Sequence, residues 1–377
     1  MKAPQKLSES LLHGGSTPTR EEITETIEHG IFALIGEHSH EQVSVWFDPA
    51  SGYRGIIAVH STVLGPSLGG TRYWEYENDT EALIDVLRLS RGMTYKAAVA
   101  GLNLGGGKSV IMRNSHEHDR EALFRAHGRH VASLGGRYIT AEDVGTNPED
   151  MEIIRAETEH VVGLAGGSGD PSPVTAFGVY RGMLACAKVA YDRDDVSGKT
   201  VTVQGCGHVG YHLCKHLHED GAQLIVTDID EAKVKRVVDE FSATAVATDE
   251  IYAQEADIFA PCALGAVIND ETLEMLKVDI VAGAANNQLD EECHGDTLHQ
   301  RGVIYAPDYV INSGGLINVN AEVEGWDLER SQEKASEIYD TILRILQIAA
   351  DQGIPTYRAA DRLAEERITE AKKRRQA

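Results

Sequence analysis

Basic side chains are in short supply in this chain. Its 377 residues hold 35 lysines and arginines against 59 aspartates and glutamates, a formal net charge of −24. A surface so anionic repels phosphate backbones and argues against a nucleic-acid partner. The same excess suits either a saline habitat or plain solubility. Cysteine is sparse as well. Cys186, Cys206, Cys214, Cys262 and Cys293 are odd in number and form no CxxC pair. The expectation is reduced thiols in a cytoplasmic protein, not a disulfide framework. Metal-ligand spacing is lacking too: His212 and His216 stand four apart, but no HExxH pattern surrounds them. They read as the wet side of a helix, and no metal is expected. No apolar run is long enough to span a membrane, and the opening MKAPQKLSESLLHGGSTPTR lacks the apolar core of a secretion signal. No membrane partner is expected.

What the chain has in quantity is glycine, 37 residues of it, which suits an α/β protein with many tight strand-to-helix turns. The length suggests two domains. Residues 1–27 read as a partly flexible tail. Within 28–165, GIIAVHSTV from Gly55 reads as a strand, and GPSLGGTR as a turn-rich segment. Asn78 and Glu81 form an N-cap pair for the helix through LIDVLRLSRGMTYKAA. GLNLGGGKS reads as a glycine cluster interrupting the chain before the short apolar run Val110 to Met112. RYITAEDVG is a strand entering a polar loop. At Gly163 the texture changes: GLAGGSGDPSPV is a hinge candidate. Strands and helices then alternate over 166–344, the mark of a doubly wound parallel sheet, and helix runs from about Asp327 to near the end.

The best-supported motif is Gly205-Cys206-Gly207-His208-Val209-Gly210. It follows the strand VTVQ, opens a helix with Val209, Leu213 and Leu217 on one stripe, and is followed 18 residues past Gly210 by Asp228 at the end of the next strand. Together these form a dinucleotide fingerprint. Gly205 makes the turn, Gly207 lets backbone approach a pyrophosphate at the helix N-terminus, and Gly210 allows close packing. Asp228 would accept hydrogen bonds from ribose hydroxyls and repel a 2′-phosphate, so NAD is expected. GLNLGGGKS invites comparison with a phosphate loop, GxxxxGK[ST]. That pattern needs glycine six places before Lys108, where Leu102 stands. Singly, Lys108, Lys96 and Asp143 each read as ordinary: a solvated lysine, a helix-end lysine and a turn residue. As a set, two lysines and a carboxylate at element ends beside glycine clusters could bind a substrate carboxylate and provide a base near neutrality.

The segments GPSLGGTR, RGMTYKAA, GLNLGGGKS, RYITAEDVGT, SPVTAFGVYRG, VQGCGHVGYHLCKHL, IFAPCALGAVIN, AGAANNQL and YVINSGGLINVNAE resemble the glutamate/leucine/phenylalanine/valine dehydrogenase family. The similarity runs in order from about Glu41 past Glu329 and is nearest the leucine branch. It implies an N-terminal substrate and assembly domain, a C-terminal Rossmann domain, a cleft between them, and last helices (about 345–377) returning to the first domain. By this resemblance Lys96 binds the substrate carboxylate, Lys108 is the general base acting through water, and Asp143 carries protons. Gly69 lies near substrate; Thr175, Cys262, Ala263, His208, Val209, Asn286 and Asn287 lie near the dinucleotide or substrate. The side-chain pocket would be lined by Leu68, Met93, Ala141, Leu316 and Val319. All five are apolar, which argues against glutamate as substrate. Ala141 resembles the leucine branch, while Leu316 is the residue phenylalanine enzymes tend to carry. The implied activity is reversible NAD-dependent oxidative deamination of branched-chain L-amino acids, leucine giving 4-methyl-2-oxopentanoate and ammonia, in a homo-oligomer, by resemblance an octamer. Phenylalanine as substrate is the alternative. A non-catalytic dinucleotide sensor is the rival of another class, and it has no use for a base.

Overall fold

The computed structural model describes residues 30–113, 119–164 and 169–376. The tail at 1–27 and residues 165–168 of the hinge candidate lie outside them. The chain forms two α/β domains around separate sheets. The first sheet has the order β1-β2-β4-β3-β5, with β1 Gln42–Asp48, β2 Tyr53–Ser61, β3 Ser67–Trp74, β4 Gly105–Met112 and β5 Tyr138–Glu142. A short helix α1, Gly30–Glu37, precedes it, and helices α2 (Asp79–Val99), α3 (Arg120–Ala132) and α4 (Pro148–Arg155) complete the domain. β1, β2 and β4 run antiparallel to one another in turn, while β3 is parallel to both β4 and β5.

Two expectations for this half need correction. GPSLGGTR is not a turn but most of β3, and the triple glycine does not interrupt the chain but opens β4. β4 is buried along its whole length, and its glycines answer to what lies against them. A Cβ on Gly105 would stand 1.9 Å from the Ser61 carbonyl oxygen, and one on Gly106 would stand 2.1 Å from the Thr94 nitrogen of α2. Gly106 thus lets α2 lie directly on the strand. Propensity against glycine in strands is overridden by this close approach. A strand also cannot curl its amides round a phosphate, which ends the phosphate-loop reading. The N-cap of α2 is as expected, with the Asn78 side chain accepting from the Glu81 amide at 2.9 Å.

The second sheet is wholly parallel, ordered β11-β10-β9-β6-β7-β8. Its strands are β6 Thr200–Gln204, β7 Gln223–Thr227, β8 Thr244–Ala245, β9 Ile258–Pro261, β10 Ile280–Val281 and β11 Ile304–Tyr305. Around it lie α5 (Ser172–Tyr191), α6 (His208–Glu219), α7 (Glu231–Phe241), α8 (Asp270–Met275), α9 (Glu292–Gln300), α10 (Asp308–Ile311), α11 (Gly314–Glu324), α12 (Leu328–Ser336) and α13 (Ile338–Gln352). Strand order reverses between β6 and β9, which opens a crevice at their carboxyl ends. His216 departs from the expected wet face: its ring stacks on Tyr180 of α5 at a centroid distance of 5.4 Å. All five cysteines are free. Among the described residues no helix is long and apolar enough to cross a membrane, and no cluster of three or more candidate ligands could hold a metal.

The last helix, α14 (Thr356–Gln376), joins the two halves. It packs on α13 of the second domain and on α2 of the first. Arg367 donates to the carbonyls of Ala97 (3.0 Å), Ala98 (2.8 Å) and Leu102 (2.8 Å). The Ala97 and Ala98 carbonyls at the end of α2 also accept the Leu102 and Gly101 amides (both 3.1 Å), and a guanidinium from the second half of the chain adds a charged donor to each.

Candidate functional site

A cavity of about 570 Å³ lies between the two sheets. Its walls come from β3, α2, β4 and β5 on one side and from α5, α6, the 284–289 loop, α10, α11 and α14 on the other. Lys96, Lys108 and Asp143 all line it. β4 carries Lys108 into the cavity, where its Nζ lies 3.0 Å from Asp143 Oδ2 just past the end of β5. The same carboxylate oxygen accepts from Arg72 Nε at 3.2 Å. Arg72 reaches on to Asp85 at 2.9 Å, and Asp85 also accepts from Tyr76 (2.8 Å) and Arg88 (3.1 Å).

Lys96 stands three residues before the end of α2, and its Nζ donates to Asn312 Oδ1 at 2.6 Å. The Asn312 amide nitrogen donates to Asn286 Oδ1 at 2.8 Å and to the Ala284 carbonyl at 3.1 Å. A chain of hydrogen bonds therefore crosses the cleft. Burial pulls the Lys96 ammonium down to about 8, with Asp308 opposing and Lys108 adding to the shift. Burial also lowers Lys108, opposed by Asp143 and reinforced by Arg72. Arg72 is thus a cation acting on Lys108, and Lys108 in turn acts on Lys96. For Asp143 burial pushes upward, yet Lys108 and Arg72 together hold the carboxyl below its usual range. Asp308 is pushed up by burial despite accepting from the amides of Gln288 and Tyr309.

The side-chain residues Leu68, Met93, Ala141, Leu316 and Val319 also meet on the cavity wall, as do Thr175, Val209, Asn286 and Asn287. Gly69 does not line it; its neighbour Gly70 does. A Cβ on Gly69 would lie 1.8 Å from the Gly107 carbonyl oxygen, so its glycine is demanded by the approach of β4. Farther along, Gly205 turns with φ +104° after β6, and a Cβ on Gly210 would lie 1.9 Å from the Gly205 carbonyl oxygen. Nothing stands within 4 Å of a Cβ built on Gly207, and no side chain caps the start of α6. Open backbone at an uncapped helix N-terminus fits a pyrophosphate. Cys262 and Ala263 back this loop: their atoms lie 2.9 Å from a Cβ on Gly205. His208 is exposed, its Nδ1 3.2 Å from Asp170. Asp228 accepts from the amides of Cys206 (2.7 Å) and Asp230 (2.9 Å), which fixes the carboxylate beside the glycine loop.

Family models match both halves of the chain. Residues 40–160 match the Glu/Leu/Phe/Val dehydrogenase dimerisation domain. Residues 166–232 and 226–376 match the Glutamate/Leucine/Phenylalanine/Valine dehydrogenase model. The chain belongs to this dehydrogenase family. It is 56% identical over 348 residues to a leucine dehydrogenase of Bacillus subtilis, covering 92% of this chain and 96% of that one. It is 48% identical to a valine dehydrogenase of Streptomyces albus, covering 89% and 94%. The crystal structure of an L-tryptophan dehydrogenase from Nostoc punctiforme superposes with a TM-score of 0.84 at 46% identity, covering 91% of this chain and 100% of that one. The protein is an amino-acid dehydrogenase that works with a nicotinamide dinucleotide.

Three residues of this amino-acid dehydrogenase's cavity escaped sequence reasoning: Arg72, Asp308 and Asn312. Each lies in or beside a segment that was singled out, GPSLGGTR or YVINSGG. Nothing in residue type or spacing marked them; Asn312 meets Lys96 across 216 residues and Arg72 meets Asp143 across 71.

Proposed function

We propose that this dehydrogenase oxidatively deaminates branched-chain L-amino acids, leucine foremost, with NAD. The observation that carries the reading is the meeting of Lys96, Lys108 and Asp143 with an apolar wall in one cavity. We assign the substrate and assembly domain to residues 28–165, the dinucleotide domain to 166–344, and the returning helices to 345–377. The exposed Val45 and Phe47 on the edge strand β1 support assembly into a homo-oligomer, with the octamer as the family resemblance implies.

The glycine loop, the N-terminus of α6 and Asp228 would hold the dinucleotide, which when bound would supply the acceptor for the substrate Cα hydrogen as hydride. The residues of the chain do the rest. Lys96 takes the substrate carboxylate in exchange for Asn312. Lys108, with its pKa lowered, takes a proton from the water that adds to the imino carbon. Asp143, held ionised, passes protons as the carbinolamine expels ammonia and the 2-oxo acid is left. Thr175, Asn286 and Asn287 line the cavity and would lie against the substrate or the nicotinamide.

Substrate choice rests on the wall. The Ala141 methyl and the longer Leu316 side chain shorten the pocket and favour aliphatic groups over rings. Leucine, valine and isoleucine are expected to be good substrates. Phenylalanine should fall behind by tens to hundreds-fold, the scale of a misfit of ~1–3 kcal/mol. Glutamate should be negligible, since its carboxylate would lie against Leu68, Leu316 and Val319. NADH absorbance with a panel of L-amino acids tests this. A kcat/KM for phenylalanine above leucine overturns the branch, and glutamate above both overturns the pocket.

Cofactor choice rests on Asp228. NAD should be preferred to NADP, because the carboxylate beside the glycine loop repels a 2′-phosphate. Asp228→Asn keeps an oxygen for the Cys206 amide while removing the charge, so the preference should narrow. Equal use of both cofactors by the unaltered enzyme would remove Asp228 from this role.

A further inference from the structure

Arg72 is the unabsorbed feature of the cavity. Its guanidinium lines the site, yet it is already engaged at both ends: Nε on Asp143 Oδ2 and a terminal nitrogen on Asp85. Lys108 and Arg72 meet the same oxygen of Asp143. Among the described residues both cations take Oδ2 and no hydrogen bond is given to Oδ1, and Asp143 lines the cavity. The two cations differ in kind. A lysine acting as base must give up its charge once per turnover, whereas a guanidinium keeps its own throughout. A buried carboxylate paired with Lys108 alone would therefore lose its counterion at the moment it is needed.

We propose that Arg72 is a positioning residue: it holds Asp143 in place and ionised while Lys108 gains and loses its proton, leaving Oδ1 free to exchange protons with the substrate. Asp85 anchors the far end of Arg72 and sets how much positive field reaches Lys108. This rests on the roles proposed above for Lys108 and Asp143.

Other charged or titratable groups also face the pair. From α2 come Asp85, Arg88 and Lys96; from β5, Tyr138 and Glu142; from the loop after β3, Tyr76; and from the second domain, Asp308 over Lys96. Arg72 lowers the Lys108 pKa and Asp85 raises it. The two residues therefore push the acid limb of the pH profile in opposite directions. Neutral Lys108 is the active form, so activity is lost as pH falls through its pKa. Removing a nearby cation raises that pKa, and removing a nearby anion lowers it.

The test is the pH dependence of kcat/KM for leucine in Arg72→Gln and Asp85→Asn, with melting temperatures alongside. Arg72→Gln should lose about tenfold or more in kcat, with its acid limb at higher pH and the amino-acid KM little changed. Asp85→Asn should move the limb to lower pH. A purely structural role would lower the melting temperature and turnover while leaving the limb in place, and that result overturns the proposal. If Arg72→Gln does not fold, the sign for Asp85→Asn decides: a downward shift supports the proposal, and an unmoved or upward limb sinks it. Lys108→Ala and Asp143→Asn run as controls. Wild-type turnover in either removes the underlying mechanism, and the role of Arg72 with it. Lost turnover in both, with unmoved limbs in the Arg72 and Asp85 variants, overturns this inference alone.

Discussion

Lys108→Ala is expected to lose about 100-fold or more in kcat, the scale of a missing general base, while the protein stays folded. Folding should survive because Asp143 keeps Arg72 as a partner, so no buried charge is orphaned. β4 is held by its neighbours β2 and β3 along its length and does not depend on the lysine. The measurement is turnover at saturating leucine and NAD, with far-ultraviolet circular dichroism for the fold. Near-native turnover would show that another group activates the water.

The second large effect is expected at Lys96. Its ammonium is partly buried on the cavity wall, and its hydrogen-bond partner is the neutral Asn312. A substrate carboxylate replacing Asn312 would form a charge-assisted bond in a desolvated place. Truncating one member of such a pair costs about 2 kcal/mol or more, so Lys96→Ala should raise the amino-acid KM about 30-fold or more. The dinucleotide KM should move little, because the glycine loop lies elsewhere on the second sheet. The unaltered enzyme carries the same signature. With Lys96 lowered to about 8, the ammonium is charged below that pH and neutral above it, so amino-acid binding should weaken as pH climbs through 8. An amino-acid KM that is flat with pH and unchanged in Lys96→Ala would refute the role.

Much of this was legible in the chain itself. The dinucleotide loop could be read because strand, turn, helix start and following acid lie close together in the chain: Gly205 takes the positive φ of the turn and Gly210 packs on the Gly205 carbonyl. The N-cap at Asn78 was readable for the same reason. Lys96, Lys108 and Asp143 could be named from the family motifs, but no spacing said that they converge. Their meeting depends on β3 lying between β4 and β5, a sheet order that short-range patterns do not encode. The triple glycine misled because its causes are tertiary: Ser61 lies against Gly105, α2 against Gly106 and Tyr138 against Gly107. Arg72, Asp308 and Asn312 stayed hidden because a polar side chain in a motif looks the same whether it faces water or a buried partner.

The cap that Arg367 places on α2 bears on how the chain is made. The Ala97 carbonyl and Arg367 are 270 residues apart. At a synthesis rate of about 5–20 residues per second, the carbonyls would leave the ribosome roughly 15–50 s before their donor. For that interval the nascent first half has every strand of its own sheet, and the helix that carries Lys96 ends on the Gly101 and Leu102 amides alone. The order of birth and the order of completion therefore differ: the first domain to emerge is finished by a helix synthesised after the second domain.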